Sequence, residues 1–125
     1  MYAFNEYYNR YFTTLYFPNE FNQTLDDIIF HPSLREIYFG GFNSIFNQNL
    51  SNVILPNNFI CFCYKNYNEN TINSLPYGLT KLKIYNISYP INNLPLSIQK
   101  IYVPYEQQDN IHLIKMPFGC TIKFF

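Results

Sequence analysis

Few side chains in this 125-residue sequence could do chemistry. Cys61 and Cys63 are spaced as alternate residues of a strand, so both thiols fall on one face. A structural zinc site takes about four ligands. The only histidines are His31 and His112, far from the pair, and Cys120 belongs to no second close pair. The Cys-x-Cys element therefore reads as two small side chains on a strand face. His31 precedes Pro32 and His112 adjoins Ile111, neither with a Ser, Cys or carboxylate at motif spacing. No Gly-rich phosphate loop or nucleophile elbow occurs. The expectation is a protein that is not an enzyme and holds no metal or cofactor.

What remains is recognition, carried by Tyr and Lys. Aromatic residues make up 21% of the chain, with 13 Tyr and 13 Phe. Formal net charge is +0, so no bulk attraction to nucleic acid or membrane follows. Residues 1–60 carry two bases against five acids, and residues 61–125 six against three. Whether Tyr and Lys converge depends on the elements that place them.

Those elements repeat. Phe21–Gly40 holds a Phe-Asn opening followed by Pro32-Ser33-Leu34-Arg35-Glu36-Ile37-Tyr38-Phe39. The second half returns as Pro76-Tyr77-Gly78-Leu79-Thr80-Lys81-Leu82-Lys83-Ile84 and as Pro95-Leu96-Ser97-Ile98-Gln99-Lys100-Ile101-Tyr102-Val103. The opening returns at Phe46-Asn47 and Tyr67-Asn68. Anchors at Leu15, Ile37, Phe62, Leu82, Ile101 and, poorly, Lys123 recur at roughly 19 to 25 residues, close to the leucine-rich-repeat range of about 20 to 29. Short strands are expected at about 15–17, 37–39, 62–64, 82–84 and 101–103, with turns rich in Gly, Asn and Pro between them. Asn, Ile, Tyr and Phe are middling helix formers, so little helix is expected. At the end, Lys123 at an anchor position implies a register slip that turns Ile122 and Phe124 inward.

The Phe-Asn opening with Pro-x-Ser-Leu-x-x-Leu-x-Phe-Gly resembles the FNIP repeat, a relative of the leucine-rich repeat found mainly in social amoebae and in large DNA viruses that infect amoebae. The resemblance covers roughly residues 15–103. It implies a mainly β, leucine-rich-repeat-like right-handed solenoid of about five short coils over residues 15–125. Many members carry an N-terminal F-box. Residues 1–14 are too few for one, and Phe17-Pro18-Asn19-Glu20 is better used as strand, turn and repeat. The aromatic residues 1–14 read instead as a cap over Leu15 and Phe17, because a first repeat exposes one flank of its core.

The Asn of each opening sits at a corner, where buried backbone groups need partners. Its amide can donate and accept at once, so Asn22, Asn47 and Asn68 are assigned to a structural ladder. Tyr89-Pro90 replaces the motif in copy four, and Asn92 or Asn93 must serve there. The insertion at Gly40–Ile45 reads as a slack loop.

Outward residues between the anchors form one column, Tyr16, Tyr38, Cys63, Lys83, Tyr102 and Phe124. Thr14, Glu36, Cys61, Lys81, Lys100 and Ile122 form the other. Repeat proteins bind through such faces, and Tyr offers rigid area with a polar tip. Tyr16, Tyr38, Lys81, Lys83, Lys100 and Tyr102 are thus the candidate contacts for a protein partner of unknown identity. The alternatives are a structural component of a virus particle and, more weakly, nucleic-acid binding through Lys81, Lys83 and Lys100 with Tyr85 and Tyr102. The apolar end, Thr121–Phe125, suggests a homodimer through that end. Three cysteines cannot all pair, and no secretory segment opens the sequence, so a cytoplasmic protein is expected, in the host cytoplasm or a virion if viral. No apolar run approaches a membrane span.

Overall fold

A computed structural model describes residues 2–41, 43–56, 61–64 and 69–125. Six four-residue strands occur: β1 (Thr14–Phe17), β2 (Glu36–Phe39), β3 (Cys61–Tyr64), β4 (Lys81–Ile84), β5 (Lys100–Val103) and β6 (Thr121–Phe124). They form one sheet in sequence order, and every pairing is parallel. The protein is mainly β. Among the described residues helix is confined to a 3-10 turn at Asn5–Tyr7, the single turn α1 (Glu69–Ile72) and a 3-10 stretch at Tyr105–Leu113. The last of these falls where extended or irregular chain was expected. Pro104 caps it with extended backbone, and the polar run Glu106–Asn110 has no apolar face to demand a strand.

Strands β1 to β5 each begin one residue before the expected start. In β1, β2, β4 and β5 the second and fourth residues are buried while the first and third face outward. This is the period-two alternation of a sheet with one covered face. Register aligns Leu15, Ile37, Phe62, Leu82, Ile101 and Ile122 in one row. The anchor of the last strand is thus Ile122 rather than Lys123, because a lysine opposite Ile101 would carry its charge into the core. Ile122 packs against the core, as the slip requires, whereas Phe124, opposite Val103, stays 40% exposed. The outward columns therefore end in Lys123 and Thr121, not in Phe124 and Ile122.

The covered side of the sheet meets residues of the connecting segments in one continuous core. Leu25, Leu34, Leu50, Ile72, Leu79 and Ile91 are all buried there. The Phe of the Phe-Asn opening is a packing residue. Phe21 stacks on Phe17 at 4.0 Å, and Phe46 meets Phe39 at 4.5 Å. Outside the sheet, Ile91 and Ile114 form an isolated parallel bridge, with Ile91 N–H donating to Leu113 C=O at 2.8 Å.

The outer edge of β1 is covered. Tyr8 bridges Leu15 in antiparallel fashion, and Asn9 N–H donates to Thr14 C=O at 2.9 Å. The Phe4 ring meets Phe17 and Phe21 edge-on at 5.5 and 5.2 Å. Behind them, Phe12 stacks on His31 at 4.7 Å, and the Tyr8 hydroxyl accepts from His31 N–H.

Candidate interaction face

Four-residue strands leave each outward side chain beside its register partners, about 4.8 Å away on the next strand. One column reads Tyr16, Tyr38, Cys63, Lys83, Tyr102, Lys123, and the other Thr14, Glu36, Cys61, Lys81, Lys100, Thr121. All six candidate contact residues lie on this face. Tyr16 and Tyr38 stack at 4.8 Å with rings nearly parallel. Lys81 stands opposite Lys100, and Lys83 opposite Tyr102. Tyr102 is separated from the tyrosine pair by Cys63 and Lys83, so the face has two aromatic positions rather than a continuous Tyr row.

The centre is closed by the cysteines. Cys61 and Cys63 are 4% and 1% exposed although they point outward, because short side chains sink between taller neighbours. The Cys61 S–H donates to Phe62 C=O at 3.1 Å, and the two sulfurs are 3.8 Å apart. The hydrogen bond with Cys63, followed by burial, pushes the Cys61 thiol well above its ordinary range. A protonated, covered thiol is a poor nucleophile and a poor ligand. Among the described residues no group of three or more His, Cys, Asp or Glu could hold a metal ion.

Tyr38 donates its hydroxyl to Glu36 Oε2 at 2.9 Å. Burial, the neighbouring Cys63 and that carboxylate all raise the Tyr38 phenol. Its hydroxyl therefore remains a donor, and the Glu36 carboxylate is engaged within its own strand. Beyond the strand ends, Tyr16, Tyr38, Gly40, Gly41 and Tyr85 line a shallow pocket. At the other half, Lys83 Nζ lies 4.6 Å from the Phe125 ring centre and 5.6 Å from that of Tyr85. Burial lowers the Lys83 ammonium pKa, but Tyr85 and the thiols outweigh it, and the net shift is upward. Lys83 is a cation held by aromatic faces.

The corner residues form a ladder with several unforeseen members. Asn22 Oδ1 accepts from Asn47 N–H at 3.0 Å and from Gln48 Nε2 at 3.1 Å. Asn47 contributes its backbone: its C=O accepts from Asn70 Nδ2, one repeat on. Asn68 lies outside the described residues. Thr71, fully buried, donates to Gln48 C=O at 3.1 Å. In copy four Asn93 Nδ2 donates to Asn73 C=O at 2.6 Å, while Asn73 Oδ1 accepts from the N–H groups of Asn92 and Asn93. Asn19 performs the same service beside the face. Its Oδ1 accepts from Gly41 N–H at 2.7 Å and its C=O from Ile45 N–H at 2.9 Å, so the insertion is pinned at both ends. Phe42, within it, is outside the described residues. Sequence reasoning missed Asn19, Asn70 and Asn73 because none stands in a Phe-Asn pair. For Asn19, just after a strand, and Asn73, two residues before Leu75-Pro76 as Asn93 is next to Leu94-Pro95, position in the repeat was the available signal; Asn70 had none.

No family model, characterised protein or solved structure is significantly similar to this chain. Among the described residues no helix is long and apolar enough to cross a membrane.

Proposed function

We propose that the protein is a non-catalytic interaction module, an FNIP-type solenoid related to leucine-rich repeats, that binds a protein partner through the outward face of its sheet. The observation that carries this reading is the unbroken register of six parallel strands, which gathers Tyr16, Tyr38, Lys81, Lys83, Lys100 and Tyr102 onto one surface. Among the described residues Tyr16 is exposed and Tyr38, Lys81, Lys83, Lys100 and Tyr102 are half-buried on that face, and the stacked tyrosines present rigid area there. The thiols are free, which fits work in a reducing cytoplasm, that of the host if the source is a virus. A second copy is a further partner in this reading, joined through the edge of β6.

Affinity capture from native or infected cells with the wild type and a Tyr38→Ala, Tyr102→Ala double variant tests the face. Capture should fall at least about 10-fold, as for loss of interface anchors, with little change in melting temperature. Undiminished capture by a variant that still folds would place the partner elsewhere.

A further inference from the structure

The outward face divides into two chemically different halves, and we infer that it fits a short extended acidic segment of a partner protein. Carboxylates of that segment lie over β4–β6, and one aromatic or aliphatic side chain reaches the pocket at Tyr16 and Tyr38. The inference rests on the strand-face reading above and specifies the partner.

The basic half is a grid of six positions on three neighbouring strands. One row is Lys81, Lys100 and Thr121, and the other is Lys83, Tyr102 and Lys123. Four of the six are lysines, and none of the three strands contains an Asp or Glu. Lys81 and Lys100 are direct register partners, an arrangement of like charges that costs stability unless an anion sits between them. Glu36, the one carboxylate in either column, is two strands from Lys81 and already accepts from Tyr38. Glu36 therefore leaves the lysine grid open to an anion from outside the face.

The other half is neutral apart from Glu36. Tyr16 is 56% exposed and stacked on Tyr38, and both border the pocket closed by Gly40, Gly41 and Tyr85. That concavity, bordered by aromatic rings and glycine backbone, has room for one side chain of the partner, while the Tyr38 hydroxyl stays on Glu36. From β1 to β6 the face spans five strand spacings, about 24 Å at ~4.8 Å each, which an extended chain covers in about seven residues. A segment with its apolar residue at one end and up to four carboxylates at the other, one for each lysine of the grid, matches that length. A nucleic-acid strand of equal reach fits less well. It carries phosphate along its whole length and would set some of it against Glu36.

Fluorescence anisotropy with three labelled probes decides the matter: the octapeptide Phe-Gly-Ser-Glu-Asp-Glu-Ser-Glu, the same peptide with every acid replaced by its amide, and an oligothymidylate of about eight nucleotides. The acidic peptide should bind, weaken with added salt, and lose about 10-fold in affinity with Lys81→Gln, Lys100→Gln and again with Tyr16→Ala, Tyr38→Ala. Equal binding of acidic and amide peptides, no binding of either, or indifference to the lysine variant overturns the inference. Tighter, lysine-dependent binding of the oligonucleotide overturns it in favour of nucleic acid. Cell capture separates the two levels. If capture requires Tyr38 and Tyr102 but ignores the lysine variant, the face stands and the acidic partner falls. If capture ignores both variants, both fall.

Discussion

Asn22 bonds the next repeat twice through one amide oxygen, to Asn47 N–H and Gln48 Nε2, and Gln48 returns a bond to Asn22 C=O. Asn49, two residues further along the same corner, bonds only within its own turn, to Ser51. Asn22→Ala should therefore cost about 0.5–1.5 kcal/mol, the net worth of an ordinary hydrogen bond whose freed N–H is open to water, and Asn49→Ala only a few tenths. Thermal melts of the two variants compare them directly, and equal losses would remove the ladder from the account of stability. The in-phase Phe21-Asn22 and Phe46-Asn47 pairs pointed to these segments, but the bonds made there are exposed or half-buried rather than between buried backbone groups. Which atom of each residue does the bonding was not legible in the sequence. Asn47 acts through its backbone where a side-chain role was expected, and Asn70 and Asn73 take donor and acceptor roles at positions after the Tyr67-Asn68 pair that were not assigned to the ladder. In a chain this rich in Asn, type alone does not separate a ladder member from a turn residue.

The strands were the most legible elements. Their polar-apolar alternation is strict in Glu36-Ile37-Tyr38-Phe39 and Lys81-Leu82-Lys83-Ile84, and the burial pattern follows it residue by residue. Ile37 and Leu82 are fully buried in the anchor row. Ile37→Ala or Leu82→Ala should cost about 2–5 kcal/mol, as expected for emptying a packed aliphatic site. Chemical denaturation checks this. A loss under about 1 kcal/mol at both sites would mean that the anchor row does not hold the sheet together. The connections were less legible. Tyr105–Leu113 folds as 3-10 helix without apolar periodicity to announce it. The Gly40–Ile45 insertion is held by Asn19 through a contact 22 residues apart in sequence. Gly40 has φ +65°, and a Cβ there would come within 2.8 Å of Asn19 Oδ1, so a side chain at that turn would displace the amide that accepts from Gly41 N–H. Long-range bonds of this kind leave no local pattern.

At the scale of the molecule the two edges of the sheet are unlike. Tyr8 and the aromatic residues before it cover β1, while Thr121, Lys123, Phe124 and Phe125 stand exposed at β6. An uncovered strand edge offers unpaired N–H and C=O groups to another chain. If two copies join through that edge, light scattering at micromolar concentration should give twice the monomer mass, and Phe124→Lys should return the monomer. A wild type that is already monomeric would dispose of the dimer. The sheet order has a genetic consequence as well. Each strand is paired only with the strands before and after it in the sequence, always by the same parallel register. Loss of the codons for Lys81–Gln99 would bring Lys100, Ile101, Tyr102 and Val103 to the places of Lys81, Leu82, Lys83 and Ile84, apolar for apolar and polar for polar. Unequal recombination between copies can thus lengthen or shorten the gene by whole units and still leave a reading frame that folds. The number of repeats can therefore change by whole units so long as each strand keeps its polar-apolar alternation.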